Sequence, residues 1–159
     1  MSDPLSVAAA AVQLLDVLAR LTKSAYAFIA ALVAASAELR ALQRDLARLG
    51  HLQKAVRETM CRVETRLAKQ PQGRSRAKAG IDEDTDTLRH MRDDLEACKD
   101  DLGRIEHVLS KPYDGTRSVF NRFGKRVKFV FDEKEVQRLS SRIRSHLSTL
   151  SLWLSLIGR

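Results

Sequence analysis

The stretch Leu88–Leu109, LRHMRDDLEACKDDLGRIEHVL, decides how this chain folds. Its apolar residues fall at 88, 91, 95, 98, 102, 105 and 109, alternating steps of three and four without a break. An α-helix turns once every 3.6 residues, so this spacing holds Leu88, Met91, Leu95, Cys98, Leu102, Ile105 and Leu109 on one narrow stripe. Such a stripe is the geometry of a helix packed lengthwise against others, in a coiled coil or a bundle. Asp93, Asp94, Asp100 and Asp101 fall off the stripe and read as a solvated outer face.

Before it, QPQGRSRAKAGID (70–82) carries Pro71, Gly73 and Gly80 without periodicity, which predicts a mobile loop. The acidic run Asp82, Glu83, Asp84 and Asp86 suits the N-terminus of the helix that follows. Upstream of the loop, Leu39, Leu42, Leu46, Leu49, Leu52, Val56, Met60, Val63 and Leu67 repeat the three-four steps for about 43 Å of helix. Ser36 is placed to cap that helix. Gly50 lies inside it, weakens it by about 1 kcal/mol relative to Ala, and invites a kink. The two long helices are expected to form an antiparallel hairpin around the loop. Cys61 and Cys98 would then be offset by about 10 Å along the axis, which argues against a disulfide. Both thiols read as reduced core residues.

The chain opens with SDPLSVAAAAVQLLDVLARL (2–21), in which Asp3 is a good N-cap and Pro4 suits the first helical position. The polar residues Ser6, Gln13, Asp16 and Arg20 fall within a wedge of roughly 80°. A helix so apolar elsewhere must be largely surrounded, by other helices or by lipid. Leu5, Val12, Leu15 and Leu18 are expected to be buried in the resting bundle, while Asp16 faces water in any membrane assembly. Ending at Leu21, the helix measures about 25 Å, slightly short of a hydrocarbon core. A second apolar segment, Lys23–Ala35, follows.

Lys111–Asp132 is irregular. Asp132 and Glu135 then form a capping-box-like start to a final helix with Val136, Leu139, Ile143, Leu147, Leu150, Leu154 and Ile157 in register. This pattern persists to the end of the chain, which reads either as a cut from something longer or as a frayed natural end. The expected architecture is all-α: one domain over 1–159, a bundle of four to five long helices.

A hydrophobic content of 44% suits a packed core and excludes wholesale disorder. The net charge of +8 lies entirely downstream of Ala37, because Asp3, Asp16, Arg20 and Lys23 cancel. Arg74, Arg76 and Lys78 occupy the first loop. Arg122, Lys125, Arg126 and Lys128 crowd the second irregular segment, interleaved with Phe120, Phe123, Phe129 and Phe131. Such a pattern suits an anionic membrane surface or, as the less favoured partner, nucleic acid. The plainer reading is that the phenylalanines pin the segment while its charges face water. No secretory signal is visible, so a cytosolic, resting soluble state is expected. FNRFGKR lacks the glycine and hydroxyl positions of a phosphate loop, and His51, His90, His107 and His146 share no metal-ligand spacing. The reading is non-enzymatic, without cofactor or metal.

Both ends of the chain resemble a known family. SDPLSV (2–7) is similar to the opening of the HeLo-like N-terminal domain of fungal STAND (NOD-like receptor) proteins. Val127–Leu156 resembles that family's last helix through Phe129, the Asp-Glu-Lys-Glu step at 132–135 and the Ser-Thr-Leu-Ser-Leu tract at 148–152. The resemblance implies a HeLo-like bundle joined, in the same longer chain or a partner receptor, to a nucleotide-binding oligomerisation domain. It further implies programmed cell death or innate immune signalling, as in heterokaryon incompatibility, through self-association and membrane targeting by the N-terminal helix. The domain would rest in the cytoplasm and act at the cytoplasmic face of membranes. A non-inserting module that binds other helical domains or nucleic acid is the alternative. Changing Arg122, Lys125, Arg126 and Lys128 together to Gln is expected to weaken binding to anionic vesicles by several orders of magnitude at low salt, at about 1 kcal/mol per charge. Co-sedimentation measures it, and unchanged binding would leave these cations as ordinary solvated groups.

Overall fold

The computed structural model describes residues 3–32, 35–69, 78–110 and 133–158. They form four helices: α1 (Pro4–Ala31), α2 (Ala37–Lys69), α3 (Lys78–Ser110) and α4 (Glu133–Ile157). No strand occurs among the described residues, and the fold is an all-α bundle. Asp132 and the segment 111–131 lie outside the described residues.

Each helix contributes one seam to a single core. Leu15, Leu18 and Ile29 of α1, Leu42, Leu46, Leu49 and Met60 of α2, Met91, Leu95, Leu102 and Ile105 of α3, and Ile143 of α4 line it together, all below 2% exposure. The stripe that decides the fold is buried as expected from Leu88 to Ile105. Ser36 accepts the Leu39 N–H at 3.2 Å and thereby caps α2.

The arrangement around the core differs from the expected hairpin. α1 packs on α2 and α3, and α4 packs on the same two helices. Among the described residues, α2 and α3 do not approach each other, nor do α1 and α4; each pair lies across a diagonal. Apolar periodicity says how wide a stripe is, and not which neighbour covers it. The expected loop over 70–82 is corrected at its end, because α3 begins at Lys78; residues 70–77 lie outside the described residues. The acidic run from Asp82 therefore falls beyond the first turn, past the reach of the helix-terminal charge. Cys98 is buried, whereas Cys61 is only half-buried, off the α2 seam; both are free thiols. Burial, helped by the nearby Asp101 charge, pushes the Cys98 thiol up to about 12, so it stays protonated and inert.

Polar contacts at the edge of the core fix which helix faces which. Asp101, expected on the solvated face, instead ties α3 to α4: Oδ2 lies 2.7 Å from His146 Nε2, and Arg142 Nη1 donates to Oδ1 at 2.7 Å. Asp94 likewise accepts the Trp153 Nε1–H at 2.7 Å. Asp93 and Asp100 do face solvent. From α2, the buried Asp45 accepts Arg144 Nε at 3.1 Å. Burial pushes the Asp101 carboxyl upward, but hydrogen bonds from His146 and Arg142, with their charges, outweigh it and hold the group below its ordinary value.

A depressed folded-state value means that the unfolded chain takes up the proton first as pH falls. The latch is therefore fully present above about pH 4, the ordinary carboxylate range, and is lost as pH drops through the lower folded-state value. Asp101→Asn is expected to lower the urea midpoint at neutral pH and to flatten the fall in stability below about pH 4. An acid limb as steep as in the parent would show that Asp101 is not part of it.

Candidate functional site

The helix read as the active element, α1, is longer than expected. Nothing between Leu21 and Lys23 stops it: there is no Gly or Pro, and Thr22 is itself a seam residue, 3% exposed. Thr22 Oγ1 and the Gln53 side-chain amide lie within 3.1 Å and satisfy each other in the core. The helix runs on until Leu32 turns extended at φ −74°, ψ 123°. Its 28 residues measure about 42 Å, more than the roughly 30 Å of a hydrocarbon core. The two expected segments, Pro4–Leu21 and Lys23–Ala35, are one helix up to Ala31.

Its surroundings also differ from expectation. Val7, Ala8, Ala11, Leu15, Leu18, Thr22, Ala25 and Ile29 form the buried seam. Of the residues singled out from sequence, Leu15 and Leu18 are core, while Leu5 and Val12 are only half-buried. Asp16 is exposed and accepts Arg57 Nε at 2.6 Å; that hydrogen bond and the carboxylate charge raise the Arg57 guanidinium further above its ordinary value. Ser6, Gln13 and Arg20 face water as the polar wedge requires.

α1 is thus not largely surrounded. Its most apolar 18-residue window has a mean hydropathy of 1.5, enough for a membrane span by length and composition, and 39% of that window is buried. The cause is its corner position: with α4 across the diagonal, the flank bearing Val17 and Leu21 opens onto a groove of about 700 Å³, bordered by Lys99, Arg104, Arg138 and Arg142. The other flank opens onto a groove of about 520 Å³ between α1 and α2, with Leu15, Ala19, Leu46 and Gly50 inside and Lys23 and Lys54 among its lining. Tyr26 stands beside it, 40% exposed.

The basic residues singled out from sequence do not join this site in the described structure. Arg74, Arg76, Arg122, Lys125, Arg126 and Lys128 lie outside the described residues, and Lys78 is the first residue of α3. Cations of α2, α3 and α4 lie beside α1 instead; those of α2 are hidden in the sequence because they sit between the leucines of a strong apolar stripe. Arg44 with Arg48 and Arg62 with Arg66, each pair four residues apart, carry what signal there is.

Gly50 lies where α1 and α2 approach. A Cβ there would sit 3.8 Å from Thr22 Cγ2, an ordinary contact. Gly50→Ala is therefore expected to stabilise the bundle by about 0.5–1 kcal/mol through helix propensity, measured as a raised urea midpoint with unchanged slope. Destabilisation would mean that the helices approach more closely than described. Compared with family models, with curated proteins and with solved structures, the chain matches none of them.

Proposed function

We propose that this bundle is an effector or signalling domain of the HeLo-like type, which promotes regulated cell death by self-associating and releasing α1 into the cytoplasmic face of an anionic membrane. The observation that carries this reading is the mismatch between α1 and its place in the bundle. A helix long and apolar enough to cross a membrane has 39% of its most apolar window buried. The partners in this reading are further copies of the chain, anionic lipids, and a nucleotide-binding domain in the same longer chain or a partner receptor. Its chemistry is that of transfer between environments, without catalysis or cofactor.

Energetics make release conditional. Leu15, Leu18 and Ile29 each contribute roughly 1.5–3 kcal/mol by burial, so a lone copy keeps α1 docked. Lipid or a neighbouring copy restores that burial, whereas water does not. The exposed Asp16–Arg57 pair adds little to the hold. The buried Thr22–Gln53 pair adds more, because parting it leaves Gln53 without its partner. That same buried pair favours the second reading, in which α1 never leaves and the bundle is a non-inserting interaction module.

A reversible lock separates the two. In a Cys61→Ser, Cys98→Ala background, Thr22→Cys with Gly50→Cys sets two thiols across the α1–α2 contact. The oxidised protein is expected to bind anionic vesicles but release no trapped dye, and reduction is expected to restore release. If oxidised and reduced proteins release dye equally, α1 is only core and the interaction-module reading stands.

A further inference from the structure

The outer face of α2 presents a one-sided row of cations. From Arg44 onward the exposed residues of this helix include Arg44, Arg48, Lys54, Arg62, Arg66 and Lys69, and Glu58 is the one carboxylate among them. Arg44 and Lys69 are separated by about 37 Å along the axis at 1.5 Å per residue. Among the described residues, Arg44, Lys54, Arg62, Arg66 and Lys69 form no ion pair; Arg48 reaches Asp45 only at 4.0 Å.

The opposite side of the bundle is different in kind. On α3, Arg89 pairs with Asp86 at 3.3 Å, Arg92 with Asp93 at 3.1 Å, Lys99 with Glu96 at 3.1 Å and Arg104 with Asp101 at 3.6 Å. On α4, Arg142 and Arg144 are held by Asp101 and Asp45. Because α2 and α3 lie across the diagonal, the paired cations of α3 face one way and the row on α2 faces the other; Arg138 of α4 is the exposed cation without a carboxylate partner on the opposite side among the described residues.

From this polarity we infer that the α2 row is the surface by which the bundle docks on an anionic bilayer, with α1 held at its edge. This rests on the proposed membrane function and adds to it a docking face and an orientation. The complementarity is to a flat, extended array of negative headgroups: the row is straight, one-sided, and runs most of the length of α2. Its border supplies what a bilayer interface favours. Tyr26 is exposed on α1 beside the row, and the apolar groove holding Ala19 and Gly50 opens between Lys23 and Lys54. The face of α2 itself carries no Phe, Tyr or Trp for stacking against bases, only His51. Docking on this face lays α1 alongside the headgroups, with Lys23 and Tyr26 at the interface.

The experiment compares two full-length variants that lose equal charge from opposite sides. One changes Arg44, Lys54, Arg62 and Arg66 to Gln; the other changes Arg89, Arg92, Arg104 and Arg138 to Gln. Binding is measured by co-sedimentation with vesicles containing about one-third phosphatidylserine, at low salt and at matched helicity. The α2 variant is expected to bind roughly a thousandfold more weakly, the other to stay within about tenfold of the parent. Equal losses would mean that net charge alone governs binding, and no loss in the α2 variant would mean that the row is solvated surface; either overturns the docking face. Tighter binding of the parent to mixed-sequence duplex DNA than to vesicles, lost in the same variant, reassigns the row to nucleic acid and overturns it as well. Dye release is read separately. A parent that binds through α2 yet releases no dye removes the proposed insertion of α1 and leaves the docking face standing.

Discussion

Everything in this fold depends on how much of a helix a four-helix core can cover. A seam in three-four steps buries one narrow stripe, and four such stripes close the interior here, with side chains such as Leu18, Leu46, Leu95 and Ile143 fully removed from water. Near its C-terminal end α4 leaves Leu152 and Leu156 exposed, but for α2 and α3 that stripe accounts for most of the large apolar residues, and the remaining faces are largely charged. For α1 it does not. Leu14, Val17, Leu21 and Phe28 are apolar as well, yet they lie on one flank of the seam and are only partly covered. The surplus apolar surface of α1 is thus a consequence of placing a nearly all-apolar helix at a corner.

Because an apolar seam accepts any other seam, helix order has to come from elsewhere. Polar pairs at the margin supply it. Thr22 with Gln53 sets α1 against α2, Asp45 with Arg144 sets α2 against α4, and Asp101 with His146 sets α3 against α4. Parting any of these leaves a buried or half-buried polar group unpaired, which is costly enough to disfavour a rotated or shifted arrangement. The carboxylates spent on these contacts are drawn from α3 and α2, and their partners Arg142 and Arg144 come from α4. On α2 itself Asp45 is spent in this way, whereas Glu58 stands among the outer cations and forms no ion pair among the described residues.

The fold class was legible in the sequence because burial along a helix is a local, periodic property. Leu88 through Ile105 declares its stripe without knowing its neighbours. The diagonal placement of α2 and α3 was not legible, since it depends on contacts such as Asp101–His146 between residues 45 apart. The same gap hid the roles of Asp94 and Asp101, which look like a solvated face until Trp153 and His146 are laid against them. The end of α1 was misjudged for a different reason. A Leu-Thr-Lys-Ser stretch breaks apolar continuity, but it carries no residue that stops a helix, and Thr22 is buried by finding Gln53. As for the candidate site, Leu15, Leu18 and Asp16 fall where the polar wedge puts them, whereas the openness of Leu5 and Val12 depends on which helix lies across the diagonal.

The charges of α1 constrain what it can do in lipid. Gln13, Asp16, Arg20 and Lys23 fall within about 80° of one another on its surface, and all are exposed in the bundle. Asp16, Arg20 and Lys23 lie near the middle of the 28-residue helix, so a single copy crossing a bilayer would carry them into hydrocarbon. Each such charge costs about 2.5–3.5 kcal/mol even on the mildest scale, which offsets much of what the leucines gain. Several copies side by side remove the difficulty: the polar wedges face one another or enclosed water, Asp16 finds a cation on a neighbour, and the apolar remainder meets lipid. In the proposed membrane reading, the wedge that marks α1 as a surface helix in the bundle would then make insertion collective. Self-association in this reading follows from where three charges sit on one helix, which makes crossing by a copy acting alone costlier than crossing by several together.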